Sequence, residues 1–179
     1  MTGIMTAISG SVTGRIYANG LYRRTYSGYF ADNVNFFDGA SPTAAAVDTS
    51  PVAVPGTIPQ VTSYQWLGYW LATSDTIYID GRTYFQLTSD DASYLWIGPT
   101  AITGYTTGNA LINNGGAHSS TTVSGNISMT AGVYYPIRIQ FGNNALDGVF
   151  SLTVFSNFLG TYTTTMTSNI FYNTVTLGL

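Results

Sequence analysis

Two acids, Asp90 and Asp91, stand side by side in the stretch TSDDASYLWIG, in a chain charged at only 7% of its positions. Neighbouring carboxylates disfavour each other's ionised form. Two arrangements reconcile them: a cation held between them, or a solvated turn whose side chains cap backbone N–H groups. A carboxylate pair can also cleave a glycosidic bond, but only with the two groups about 5–9 Å apart across a cleft. Adjacent residues on one turn do not offer that geometry. No catalytic residue is assigned, and the chain reads as non-enzymatic.

The other polar candidates are few. His118 is the single histidine, in NNGGAHSS, and there is neither Cys nor Glu to join it. A zinc site or a nucleophilic triad lacks its partners, so His118 reads as a surface-loop residue. Asp147, in NNALDG, reads as a turn residue or a further ligand. Among the aromatics, Trp66, Trp70, Trp96 and Tyr105 are either a stacking platform for sugar rings or, as is commoner in an all-β protein, core. Trp96 leaves the acid pair on the following strand and either enters the core or flanks the site. Tyr105, in the loop ITGYTTGN, is expected to be exposed, and with Trp96 it is the candidate to stack on a ligand ring.

The segments that position these residues are strands. All five basic residues are Arg, all eight acids are Asp, and Lys and Glu, both good helix formers, are missing. Tyr, Thr, Val, Ile and Phe suit a pleated surface. GLYRRTYSGYF (20–30) and YQWLGYWLA (64–72) read as strands. TIYIDGRTYFQLTS reads as a hairpin with Asp80-Gly81 in a type I′ turn, Phe85 and Leu87 on one face. YLWIG (94–98) is apolar on both faces and should be central and covered. A second hairpin is expected around Thr130-Ala131-Gly132, with Tyr135, Ile137, Ile139 and Phe141 sharing a face after it. Phe150, Leu152 and Val154 alternate cleanly. Residues 39–60 hold four of the six prolines and read as a long loop.

The expected architecture is therefore all-β, an antiparallel, jelly-roll-like β-sandwich with N- and C-terminal extensions. Residues 1–18 form an arm or edge strand, 19–155 the sandwich, and 156–179 a last strand or arm. A net charge of −3 opposes nucleic-acid binding, which needs a clustered basic face. No segment reaches the length of a membrane span, and MTGIMTAISGSVTG lacks the pattern of a secretory signal.

Residues from about 64 to 155 resemble the GLEYA and flocculin adhesin domains, relatives of the protective-antigen-type sandwich. The pieces that carry the resemblance are TYFQLTSDD, YLWIG, NALINNGG, TAGVYYPIRIQF and NNALDGVFSLTV, with GLYRRTYSGYF similar to the family's first strand. The resemblance implies that Asp90 and Asp91, joined by a cis peptide, coordinate calcium, and that an Asn from a later loop adds a ligand. Asn144 is the better match for that Asn and Asn143 the competitor. Calcium takes roughly six to eight oxygens, which leaves positions for vicinal sugar hydroxyls, with Trp96, Tyr105 and Asn144 beside them. The ALDG loop after Asn144 is shorter than the specificity loop that sugar-binding members often carry there. Together with the missing signal and cysteines, these features give an expectation of a virion-surface decoration or fibre protein. Its partners would be other virion proteins, copies of itself in an oligomer, or cell-surface glycans. The alternatives are a purely structural subunit and a cell-surface adhesin.

Overall fold

The structure, a computed structural model, describes residues 16–49, 54, 57–156 and 170–175. It is an antiparallel sandwich of two unequal sheets. The larger runs β1 (Ile16–Asn19), β11 (Phe171–Val175), β4 (Thr62–Leu71), β9 (Tyr134–Asn143), β6 (Ser93–Ile97), β7 (Ile112–Asn114), while β2 (Leu21–Ser27) pairs with both β4 and β3 (Ala44–Asp48). The smaller has β5 (Arg82–Asp90) between β10 (Val149–Val154) and β8 (Thr121–Ser128). One turn of helix, α1 (Phe36–Gly39), lies between β2 and β3.

Period-two alternation explains how the sheets close. In β5 the residues Thr83, Phe85, Leu87 and Ser89 are buried and their neighbours are not. Phe150, Leu152 and Val154 of β10 face the same interior. From the larger sheet come Trp66, Trp70, Leu95, Ile139 and Phe141, and the indole of Trp66 stacks on Phe150 at 4.9 Å between centroids. Burial of these side chains supplies most of the drive to close the sandwich.

The larger sheet is covered on its other face too. Tyr94 and Trp96 of β6 join Tyr26, Phe30, Val34, Phe37 and Tyr105 in a second buried cluster. The segments 28–40 and 99–110 fold over this face as its cover. The double-sided apolar pattern of YLWIG thus has its physical cause in two cores rather than one.

Several expectations change. The proline-rich stretch 39–60 contains β3, paired with β2 from Leu21↔Asp48 to Thr25↔Ala44. The turn before β5 is not type I′, because Gly81 (φ 76°) has positive φ and Asp80 does not. Type I′ needs both. TIYID is no strand: Thr76 ends a 3-10 turn, residues 77–78 are irregular and 79–80 belong to the turn before β5. The stretch around Thr130-Ala131-Gly132 is not a hairpin either: β8 pairs with β5, whereas β9 pairs with β4 and β6. There the chain crosses between the sheets. The tail does supply a strand, β11. The proposed arms lie largely outside the described residues, and β1 runs across the expected boundary at residue 18. No helix among the described residues is long and apolar enough to cross a membrane.

Candidate functional site

The acid pair sits where the chain leaves the smaller sheet for the larger. Asp90 ends β5 and Ser93 begins β6, and the Asp90–Asp91 peptide is cis. Two more crossings converge here. From β9 the chain passes through 144–148 to β10, and from β7 it passes through 115–120 to β8.

Asp91 ties the three together. Its carboxylate is 6% exposed and accepts the backbone N–H of His118 at Oδ1 (2.9 Å) and of Asn144 at Oδ2 (2.8 Å). The Gly142 N–H donates to the Ala92 carbonyl at 2.9 Å, and Asp90 lies opposite Val149. A buried carboxylate needs such donors. Asp90 differs. It is half-buried, and its carboxylate meets no donor or cation among the described residues.

The structure sets the two candidate amides, Asn143 and Asn144, apart. Asn144 is exposed, and what it gives Asp91 is its backbone N–H. Asn143 is 0% exposed. Its Nδ2 donates to the carbonyls of Ile58 (3.3 Å), Pro59 (3.1 Å) and Leu146 (3.1 Å), while its Oδ1 is buried without a partner. Three donations fix the side chain so that the oxygen is the atom left over. Gly148 makes room for it, since a Cβ there would stand 2.9 Å from Asn143 Cγ. A sequence signal could have found this residue: Ile137, Ile139 and Phe141 share one parity of β9, and Asn143 continues it.

The expected stacking residues are elsewhere. Trp96 is 0% and Tyr105 8% exposed, both inside the second cluster, so neither offers a ring face to a ligand. The indole N–H of Trp96 donates to Thr106 O (3.0 Å) and Asn109 Oδ1 (3.1 Å). The Tyr105 hydroxyl donates to both Asp38 oxygens (2.6 and 2.7 Å), and its ring carries the Arg138 guanidinium 3.8 Å from its centroid. Burial, then the Asp38 hydrogen bond, pushes the Tyr105 phenol up to about 12. Nearer the acid pair, burial followed by Asp32 and Asp91 pushes Tyr29 up to about 12.

Asp147 is exposed in the 144–148 loop, next to Leu146, which is 75% exposed and held at φ 62°. His118 turns its ring away from the acids: Nδ1 lies 2.9 Å from Ser119 O and Nε2 3.2 Å from Asn114 O. Among the described residues no three of Asp, Glu, His and Cys gather in a metal-binding group. Further ligands to a cation at Asp90–Asp91 would have to be amide or backbone oxygens. The orphaned Asn143 Oδ1 fits that need, and all-oxygen donors suit calcium.

A two-sheet antiparallel sandwich with an acid pair and an amide at its sheet crossings is the class of domain defined by this geometry. The GLEYA domain matches residues 62–156, more than half of the chain, and the chain belongs to that family. A sequence search of curated proteins finds no match. Among solved structures, it is similar to the PA14 domain of the MpAFP antifreeze protein (16% identity, 93% of this chain and 96% of that one, TM-score 0.66). It is also similar to the A domain of epithelial adhesin 6 from Candida glabrata, solved in complex with Galb1-3GlcNAc (18%, 91% and 89%, 0.63). A third is the PA14 sugar-binding domain from an RTX adhesin (11%, 87% and 98%, 0.64). At these identities the likeness concerns the fold.

Proposed function

We propose that this domain is a non-enzymatic glycan-recognition module that works in adhesion at a surface, with calcium held by Asp90, Asp91 and Asn143. The observation that carries the reading is the buried, unpartnered Oδ1 of Asn143 at the loop that also reaches Asp91. A buried amide oxygen without a partner costs about 1–3 kcal/mol, and a cation removes that cost. Calcium bound there would supply positive charge and open coordination positions for vicinal hydroxyls. Asp91 fixes the loops through its two backbone contacts, and Asp90 contributes an uncommitted carboxylate. The names of the adhesin neighbours, which bind Galb1-3GlcNAc or are called sugar-binding, support a saccharide as ligand.

Selectivity falls to the exposed 144–147 loop and its outward Leu146, since Trp96 and Tyr105 are occupied in the second cluster. The domain would act on the outside of a cell or of a particle such as a virion. The sparse charge of the chain favours lasting contact with neighbouring subunits there, because few ions need desolvating.

Thermal unfolding in chelator and in excess calcium tests the ion, followed by a glycan array in each condition. A ligand at about 100 times its Kd adds roughly 2.7 kcal/mol, or about 5–10 °C for a domain of this size. The expected result is that shift in the wild type, its loss in Asp91→Asn, and calcium-dependent glycan signal. Superimposable curves would remove the calcium reading.

A further inference from the structure

We propose a second ligand site, independent of the acid pair, on the outer face of the larger sheet: a groove that takes the carboxylate of an acidic sugar. The cavity measures about 550 Å³ and is lined by Tyr22, Arg24, Tyr69, Ile102, Arg138 and Asn173, among others. That volume lies within the roughly 300–1,000 Å³ of small-molecule pockets. Arg138 and Asn143 are on the same strand, so the groove is separated from the first site by about 16 Å of β9.

Charge selects the ligand. Two of the chain's five arginines face this groove, and no acidic residue is among its described lining, in a protein of net charge −3. Arg138 is 8% exposed. Its Nε donates to Ala101 O (2.8 Å), and its terminal nitrogens have no acceptor among the described residues. Asp38, the acid that acts on Arg138, accepts the Tyr105 hydroxyl and does not line the groove. A guanidinium held at the floor of a groove with its outer N–H groups uncommitted matches a carboxylate. Arg24 adds a second, more exposed cation, 5.2 Å from the Tyr22 ring centroid.

The remaining lining favours a sugar as carrier of that carboxylate. The exposed ring of Tyr22 offers apolar surface for a pyranose, and the Asn173 amide oxygen and Thr174 hydroxyl offer partners for its hydroxyls, the Asn173 Nδ2 being held by the carbonyls of Asn19 and Gly20.

D-glucuronate titrated into the full chain in metal-free buffer, followed by calorimetry or NMR, tests this. Saturable binding is expected, at least tenfold weaker for D-glucose and for acetate and weakened by 0.5 M salt. Arg24→Gln should weaken it at least tenfold and Tyr22→Ser measurably, while millimolar calcium leaves it unchanged. Equal binding of glucuronate and glucose, acetate binding as tight as glucuronate, or no saturation would overturn the proposal. So would binding that requires calcium, or that is kept in full in Arg24→Gln.

Discussion

Each face of the larger sheet carries a buried cluster, yet the two clusters are built from different materials. The inner face meets the smaller sheet through Trp66, Trp70, Leu95, Ile139 and Phe141, side chains that bury apolar surface. In the outer cluster three aromatics, Tyr94, Trp96 and Tyr105, end in polar atoms tied to partners in the covering segments. Tyr94 donates to Asp32 Oδ1 (2.7 Å), Tyr105 to Asp38, and Trp96 to Thr106 and Asn109. The inner core therefore holds strands together, and the outer one fastens loops to a sheet. Aromatic density that reads as a sugar platform is spent on that fastening. At the sheet crossings the means is different again: Asp91 gathers three segments with one carboxylate.

The sharpest way to break this contrast is to remove volume from each face. Phe85→Ala, in the inner core, should cost about 3–5 kcal/mol and lower Tm by roughly 10 °C, with loss of the whole cooperative transition. Tyr105→Phe keeps the ring and removes only the hydrogen bonds to Asp38. It should cost about 1 kcal/mol and chiefly raise amide exchange in the segments around Asp38 and Tyr105. A Tyr105→Phe cost equal to that of Phe85→Ala would erase the distinction.

The outer face should also carry the alkaline sensitivity. Folding raises the phenols of Tyr29 and Tyr105 from the ordinary 10 to about 12, so the folded protein holds these protons more tightly than the unfolded chain. Their contribution to stability is complete below pH 10 and is lost as pH climbs through about 12. Denaturant melts from pH 9 to 12 should show falling stability, with a smaller slope in Tyr105→Phe. An unchanged slope would mean that Tyr105 gains nothing on folding.

Where alternation is strict, the sequence speaks clearly. Phe85 and Leu87, Ile137 to Phe141, and Phe150 to Val154 all face the core as their spacing predicts. Pairing between strands is less legible. Thr130-Ala131-Gly132 has the composition of a hairpin turn, yet the chain switches sheets there, because partner choice is set by distant strands and not by the turn. Trp96 and Tyr105 mislead for a related reason: a covering loop hides them, and a loop leaves no periodic trace. Of the site, the acid pair was plain from two carboxylates in a nearly uncharged chain. Asn143 and Asn144 differ by one step of strand parity, which buries the first and exposes the second. His118 near Asp91 acts through its backbone, which no side-chain pattern records.

The proposed cation site joins Asp90, Asp91 and Asn143. Asp90→Asn tests it most directly, because that carboxylate meets no donor or cation among the described residues and its loss should leave the fold intact. Calcium titrated into wild type and Asp90→Asn by calorimetry should give one-to-one binding in the first and at least tenfold weaker binding in the second. Equal binding by both proteins, or no binding by the wild type, would contradict it.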